Sequence, residues 1–131
     1  MSITTLIYVA AGGAIGAVGR YAVVSMVGHW AHSAGTHFPY GTMVVNILGS
    51  FILGALVEVS ALAWSPSPEI RAMLVVGMLG AFTTFSTFSL DVVTMATRGD
   101  WLQVALYVGL SVAFSIIALY MGMQSMKALL H

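Results

Sequence analysis

Thr42, Asn46 and Ser50 recur at four-residue intervals, and so do Tyr107, Ser111 and Ser115. Residues four apart lie one above the other on a helix face, so each triplet forms a row. Five of the six carry a hydroxyl, and Asn46 carries an amide with two N–H donors and one acceptor oxygen. No carboxylate interrupts either row. Rows of donors free of negative charge can replace the water around a small anion. The same side chains also serve as glue between membrane helices, at about 0.6 kcal/mol per hydrogen bond on average. Spacing alone leaves both uses open.

A third stretch, GMLGAFTTFSTF at 77–88, crowds glycines, hydroxyls and two phenylalanines together. Gly77 and Gly80 each weaken a helix by roughly 0.8–1 kcal/mol relative to alanine. The hydroxyls of Thr83, Thr84, Ser86, Thr87 and Ser89 compete for backbone partners. A break here would free carbonyls, and carbonyls at the end of a half-helix coordinate Na⁺ in membrane transporters. The alternative is a continuous helix whose hydroxyls bond back to carbonyls four residues earlier. Phe85 and Phe88 stand three apart and project on one face. Rings at that spacing commonly pack in a core, yet their positive edges also attract an anion weakly. Arg20 sits inside an apolar run, where a cation costs about 2.5–3.5 kcal/mol on the insertion scale. It either snorkels to the interface or lines a wet vestibule.

The elements that must position these residues follow from composition. Of the 131 residues, 60% are hydrophobic and 6% charged. Eight charged side chains cannot build a water-facing surface, so lipid is the main solvent. In hydrocarbon every backbone group must be paired internally, which leaves helices or a closed barrel. Long apolar runs without period-two alternation favour helices. The pattern predicts an all-α membrane protein, a single domain over 1–131, with four spans at about 2–27, 41–63, 70–96 and 101–127. The polar patch of the third begins at its centre, residue 83. Trp30, Tyr40, Trp64 and Trp101 mark span ends, as interfacial aromatics do. The N-terminal stretch lacks a basic lead and reads as a retained first span. Gly12 and Gly16 form a small-xxx-small pair suited to close helix packing.

Several function classes fall away. There are no cysteines, hence no disulfide or thiolate chemistry, and the formal net charge is zero, which gives nucleic acid nothing to hold. His29, His32 and His37 share one short connection without a carboxylate and read as ordinary loop residues. No constellation suggests an enzyme. A proton-coupled cation exporter needs an embedded carboxylate, and Asp91 and Glu58 lie off-centre. A non-transporting scaffold subunit would explain the glycines but not two polar rows beside a midplane break. Basic residues divide evenly, Arg71 and Lys127 on the side of the termini against Arg20 and Arg98 on the other. Orientation follows a Lys/Arg excess in cytoplasmic loops. The balance admits insertion both ways and pairing with an inverted copy, or a weak bias that suffices.

GMLGAFTTFSTFS (77–89) with Asp91 soon after resembles the signature of the Fluc (CrcB) family of fluoride channels. FPYGTMVVNILGSFILG (38–54) resembles that family's second-helix motif, and GGAIGAVGRY (12–21) its first. The resemblance spans all four segments. It implies an antiparallel, dual-topology homodimer in the bacterial inner membrane, with two pores that export fluoride passively. It implies a third helix broken near its centre and a structural Na⁺ held at that break by the backbone carbonyls of Gly80 and Thr83. By motif, Phe85, Phe88 and Asn46 fall on pore walls, Tyr107, Ser111, Ser115 and Thr42 on the polar track, and Arg20 in a vestibule.

Overall fold

A computed structural model describes residues 1–131, all of them in helices or short connections. α1 runs Ile3–Ser33, α2 Tyr40–Leu62, and α3 Pro68–Arg71. A π-helical segment, Ala72–Leu79, follows α3 and leads into α4, Gly80–Phe82. α5 spans Phe85–Thr97 and α6 Trp101–Leu130. Four segments are long and apolar enough to cross a membrane: α1, α2, Pro68–Thr97 and α6. At about 1.5 Å per residue even α2, with 23 residues, can cross a hydrocarbon core about 30 Å thick. The chain is a multi-pass, all-helical membrane protein.

Local sequence sets the ends. Ser2 caps α1, accepting the Thr5 N–H at 3.1 Å. α1 continues past the expected end at Val27 to Ser33. It stops there because Gly35, at φ +80°, closes a Schellman turn: the Gly35 N–H donates to the His32 carbonyl and the Thr36 N–H to the Ala31 carbonyl, both at 3.0 Å. His29 and His32 are therefore helical, and only His37 of the three lies in the connection. Ser67 accepts the Ile70 N–H at 3.3 Å, with Pro68 in the first turn where a missing N–H costs nothing.

Packing divides the spans into two pairs. α2 lies mainly on α6, and α1 mainly on the π-helical segment. Both contacts are backbone to backbone. A Cβ on Gly54 would strike the Leu119 carbonyl, and one on Gly122 the Phe51 carbonyl, so the two glycines notch α2 and α6 together. Gly12 and Gly16 do the same for α1, against the carbonyls of Met73 and Met78. Helices without a hydrophobic drive between them associate through such close approach. Only 16 of 131 residues are buried, so this chain has little core of its own and shows its apolar side chains to the surroundings. Its one cluster, Met43, Met95 and Tyr107, sits where α2, α5 and α6 meet.

The third span bends. Thr83 (φ −85°, ψ 158°) and Thr84 (φ −153°, ψ 123°) are extended and separate α4 from α5. Thr84 then caps α5, its hydroxyl accepting the Thr87 N–H at 3.2 Å. Gly49 of α2 faces the bend, and any side chain there would collide with the Thr83 methyl.

Candidate functional site

Asn46 faces the bend from α2 and spends its amide on the backbone of Thr84. Its Nδ2 donates to the Thr84 carbonyl at 3.0 Å, and its Oδ1 accepts the Thr84 N–H at 2.7 Å. In an uninterrupted helix that N–H would go to the Gly80 carbonyl. By the same count the Thr87 N–H would go to the Thr83 carbonyl, but it goes to the Thr84 hydroxyl at 3.2 Å. Gly80 and Thr83 thus each lose the helical donor that would occupy their oxygen. The Leu79 carbonyl, by contrast, receives both the Thr83 N–H and hydroxyl, at 3.0 and 2.9 Å.

A cavity of about 390 Å³ opens beside the bend. α2 contributes Asn46 and Ser50, the third span Gly80, Thr83, Thr84, Phe85 and Phe88, and α6 Ser111 and Ser115. No charged residue lines it. The two polar rows and the Gly–Thr–Phe stretch therefore converge, although they are far apart in the chain. Ser50 donates to the Asn46 carbonyl at 2.7 Å, so its hydrogen is committed within α2. Asn46 retains one of its two amide hydrogens. Ser111 is buried, 5% exposed, and its hydroxyl has no partner. A buried hydroxyl left unpaired costs about 1–3 kcal/mol, so Ser111 is poised to receive something from the cavity.

Phe85 and Phe88 form one wall, with ring centres 5.5 Å apart. Phe88 leans on the protein core, whereas Phe85 is 78% exposed at the edge of the cavity. Behind Phe88 lies Tyr107, fully buried, its ring centre 5.1 Å away. The Tyr107 hydroxyl donates to Asp91 Oδ2 at 2.8 Å. Tyr107 and the buried Thr42 are thus one layer removed from the cavity, and Arg20 stands apart from it on α1, half-buried. Beyond Tyr107 the rings continue through Phe38 (5.5 Å), Tyr40 (4.8 Å) and Trp30 (6.1 Å) toward the α1–α2 connection.

Three contributors were not foreseen in their roles. Thr84 serves as the backbone that Asn46 holds and as the cap of α5. Its only signal is a hydroxyl residue directly before a helix that restarts at Phe85. Gly49 makes room for Thr83, and no local pattern distinguishes it from other packing glycines. Asp91 stands out as acidic in an apolar span, but its partner, 16 residues on, is set by tertiary packing.

The family model described as CrcB-like protein, Camphor Resistance (CrcB), matches residues 7–123. A protein of Rhodospirillum centenum is 48% identical over 122 residues, covering 93% of this chain and 94% of the relative. One of Agrobacterium fabrum is 49% identical over 116 residues, 88% and 90% of the two chains. One of Hahella chejuensis is 42% identical over 130 residues, 99% and 100%. Each of these relatives bears the name fluoride-specific ion channel FluC. With the match running through all four spans, this chain belongs to the CrcB-like family.

Proposed function

We propose that the protein is a fluoride-selective channel, not an enzyme, that lets the ion leave a bacterial cytoplasm down its electrochemical gradient across the inner membrane. The observation that carries this reading is the Ser111 hydroxyl, buried, unpartnered and facing a cavity without a carboxylate. Asn46, with one amide hydrogen to spare, and the rings of Phe85 and Phe88 line the same cavity. Fluoride holds its water tightly, so it enters only where donors replace that shell. Conduction also requires that the ion be held weakly enough to leave. A few neutral donors and ring edges meet both conditions. Tyr107 and Thr42 extend the polar track behind Phe88, and Arg20 draws anions into a vestibule. The names of the relatives supply the identity of the ion.

The functional unit in this reading is an antiparallel homodimer in lipid, with two pores. Phe85, exposed on the rim of the cavity, leaves the lane unsealed in one chain. A second copy packed over that rim closes it. Arg71 and Lys127 on the side of the termini against Arg98 on the other, with Arg20 near the middle of α1, give only a weak bias, which lets copies insert in opposite senses. The interruption of the third span at Thr83 and Thr84 then meets its counterpart on a twofold axis in the membrane plane. The Gly80 and Thr83 carbonyls, deprived of their helical donors, are suited to a hard cation that prefers oxygen ligands. Two from each chain give four oxygens for a structural Na⁺. When bound, that ion offsets negative potential between the pores.

Ser111→Ala tests the reading. A hydrogen bond to a charged group contributes about 1.5–3 kcal/mol, so fluoride efflux from liposomes should fall about tenfold or more. The variant should elute as the wild type does on size exclusion. Wild-type efflux from Ser111→Ala would take the lane away from this cavity.

A further inference from the structure

We propose that His32 and His37 form a binding site for one divalent transition metal ion of the Zn²⁺, Ni²⁺ or Cu²⁺ class, at the membrane surface where α1 hands over to α2. Their ring centres lie 5.7 Å apart, with the planes tilted by 54°. Metal–nitrogen bonds of about 2.0–2.1 Å place two imidazoles on a shared ion with centres roughly 5–6 Å apart, and this pair is already at that separation. Both side chains are exposed, so water can fill the remaining positions.

The backbone fixes the pair. His32 lies in the last turn of α1, and its carbonyl accepts the Gly35 N–H. The Schellman turn reverses the chain, and the Thr36 hydroxyl then accepts the Phe38 N–H at 3.2 Å. His37 is held between these two bonded turns. Phe38, next in the chain, is anchored against the Tyr107 ring. The backbone on both sides is thus fixed, and only the two exposed rings need turn onto an ion. No third His, Asp or Glu joins the pair, so two imidazoles define the ligand chemistry. Neutral imidazoles suit Zn²⁺, Ni²⁺ and Cu²⁺, whereas Mg²⁺ and Ca²⁺ want carboxylate and carbonyl oxygens. His29, three residues before His32 on α1, is the natural competitor for a site confined to the helix.

The test uses tag-free purified protein in detergent micelles, titrated with Zn²⁺ by calorimetry and with Cu²⁺ by electron paramagnetic resonance. One ion per chain and a copper spectrum split by two nitrogens are expected. His32→Gln and His37→Gln should each weaken binding by at least the 10–100-fold lost when a mere outer partner of a metal ligand is removed. His29→Gln and His131→Gln should leave it unchanged. Weakening by His29→Gln equal to that by His37→Gln, or a spectrum showing one nitrogen, would overturn the proposal. So would wild-type affinity in His37→Gln.

Discussion

Asn46→Asp is expected to bring fluoride efflux down to the background of protein-free liposomes. The substitution changes little in shape and keeps an oxygen to accept the Thr84 N–H, which the wild type does at 2.7 Å. It removes the donor to the Thr84 carbonyl and the second amide hydrogen of a residue that lines the cavity. It also places a negative charge in a cavity that has none. Two like charges 4 Å apart repel by about 4 kcal/mol at an effective dielectric of 20, which is nearly a thousandfold in occupancy. Asn46→Leu separates the two contributions. It adds no charge, but it strands both Thr84 backbone groups at about 1–3 kcal/mol each. Asn46→Asp strands the Thr84 carbonyl alone, so both variants should lose thermal stability, Asn46→Leu the more, whereas flux should fall further in Asn46→Asp. Efflux near the wild-type rate in Asn46→Asp would take Asn46 off the path of the ion.

The phenylalanines are expected to show the next largest effect. Phe85→Ile and Phe88→Ile each remove a ring from the cavity wall and keep an apolar side chain. Efflux should fall at least about tenfold in either, the equivalent of about 1.4 kcal/mol. The two differ in what else they cost. Phe88 also packs on Tyr107 at 5.1 Å, so its replacement opens the cluster around Met43 and Met95. Phe85 is largely exposed within a single chain, and its replacement should leave the monomer fold untouched. Phe85→Ile is therefore the cleaner probe. Size exclusion and circular dichroism should match the wild type while the electrode trace flattens. Unchanged efflux in both variants would reduce these rings to packing.

Much of this arrangement is legible in the sequence because lipid simplifies the problem. With 6% charged residues, the apolar runs could only be spans, and their number and order followed. Asn46 could be grouped with Ser50, and Ser111 with Ser115, by their four-residue spacing, since that spacing is helix geometry. The bend lies inside the stretch where glycines and hydroxyls weaken a helix. Other features depend on tertiary contact and leave no local mark. Nothing near Asn46 reveals that its amide grips Thr84, 38 residues on. Tyr107 shares a row with Ser111, yet it lies behind Phe88, because Asp91 on α5 draws its hydroxyl away. The span ends were less legible than the centres. His29 and Trp30 look like loop residues, but an interfacial helix tolerates them, and Gly35 is the actual stop.

The most direct measurement is fluoride efflux from liposomes that contain the purified protein alone, followed with a fluoride electrode after a potassium gradient is opened by valinomycin. A passive fluoride-selective channel releases trapped fluoride rapidly under that driving force, needs no nucleotide or proton gradient, and retains trapped chloride. No release, or release of chloride at a comparable rate, would contradict it.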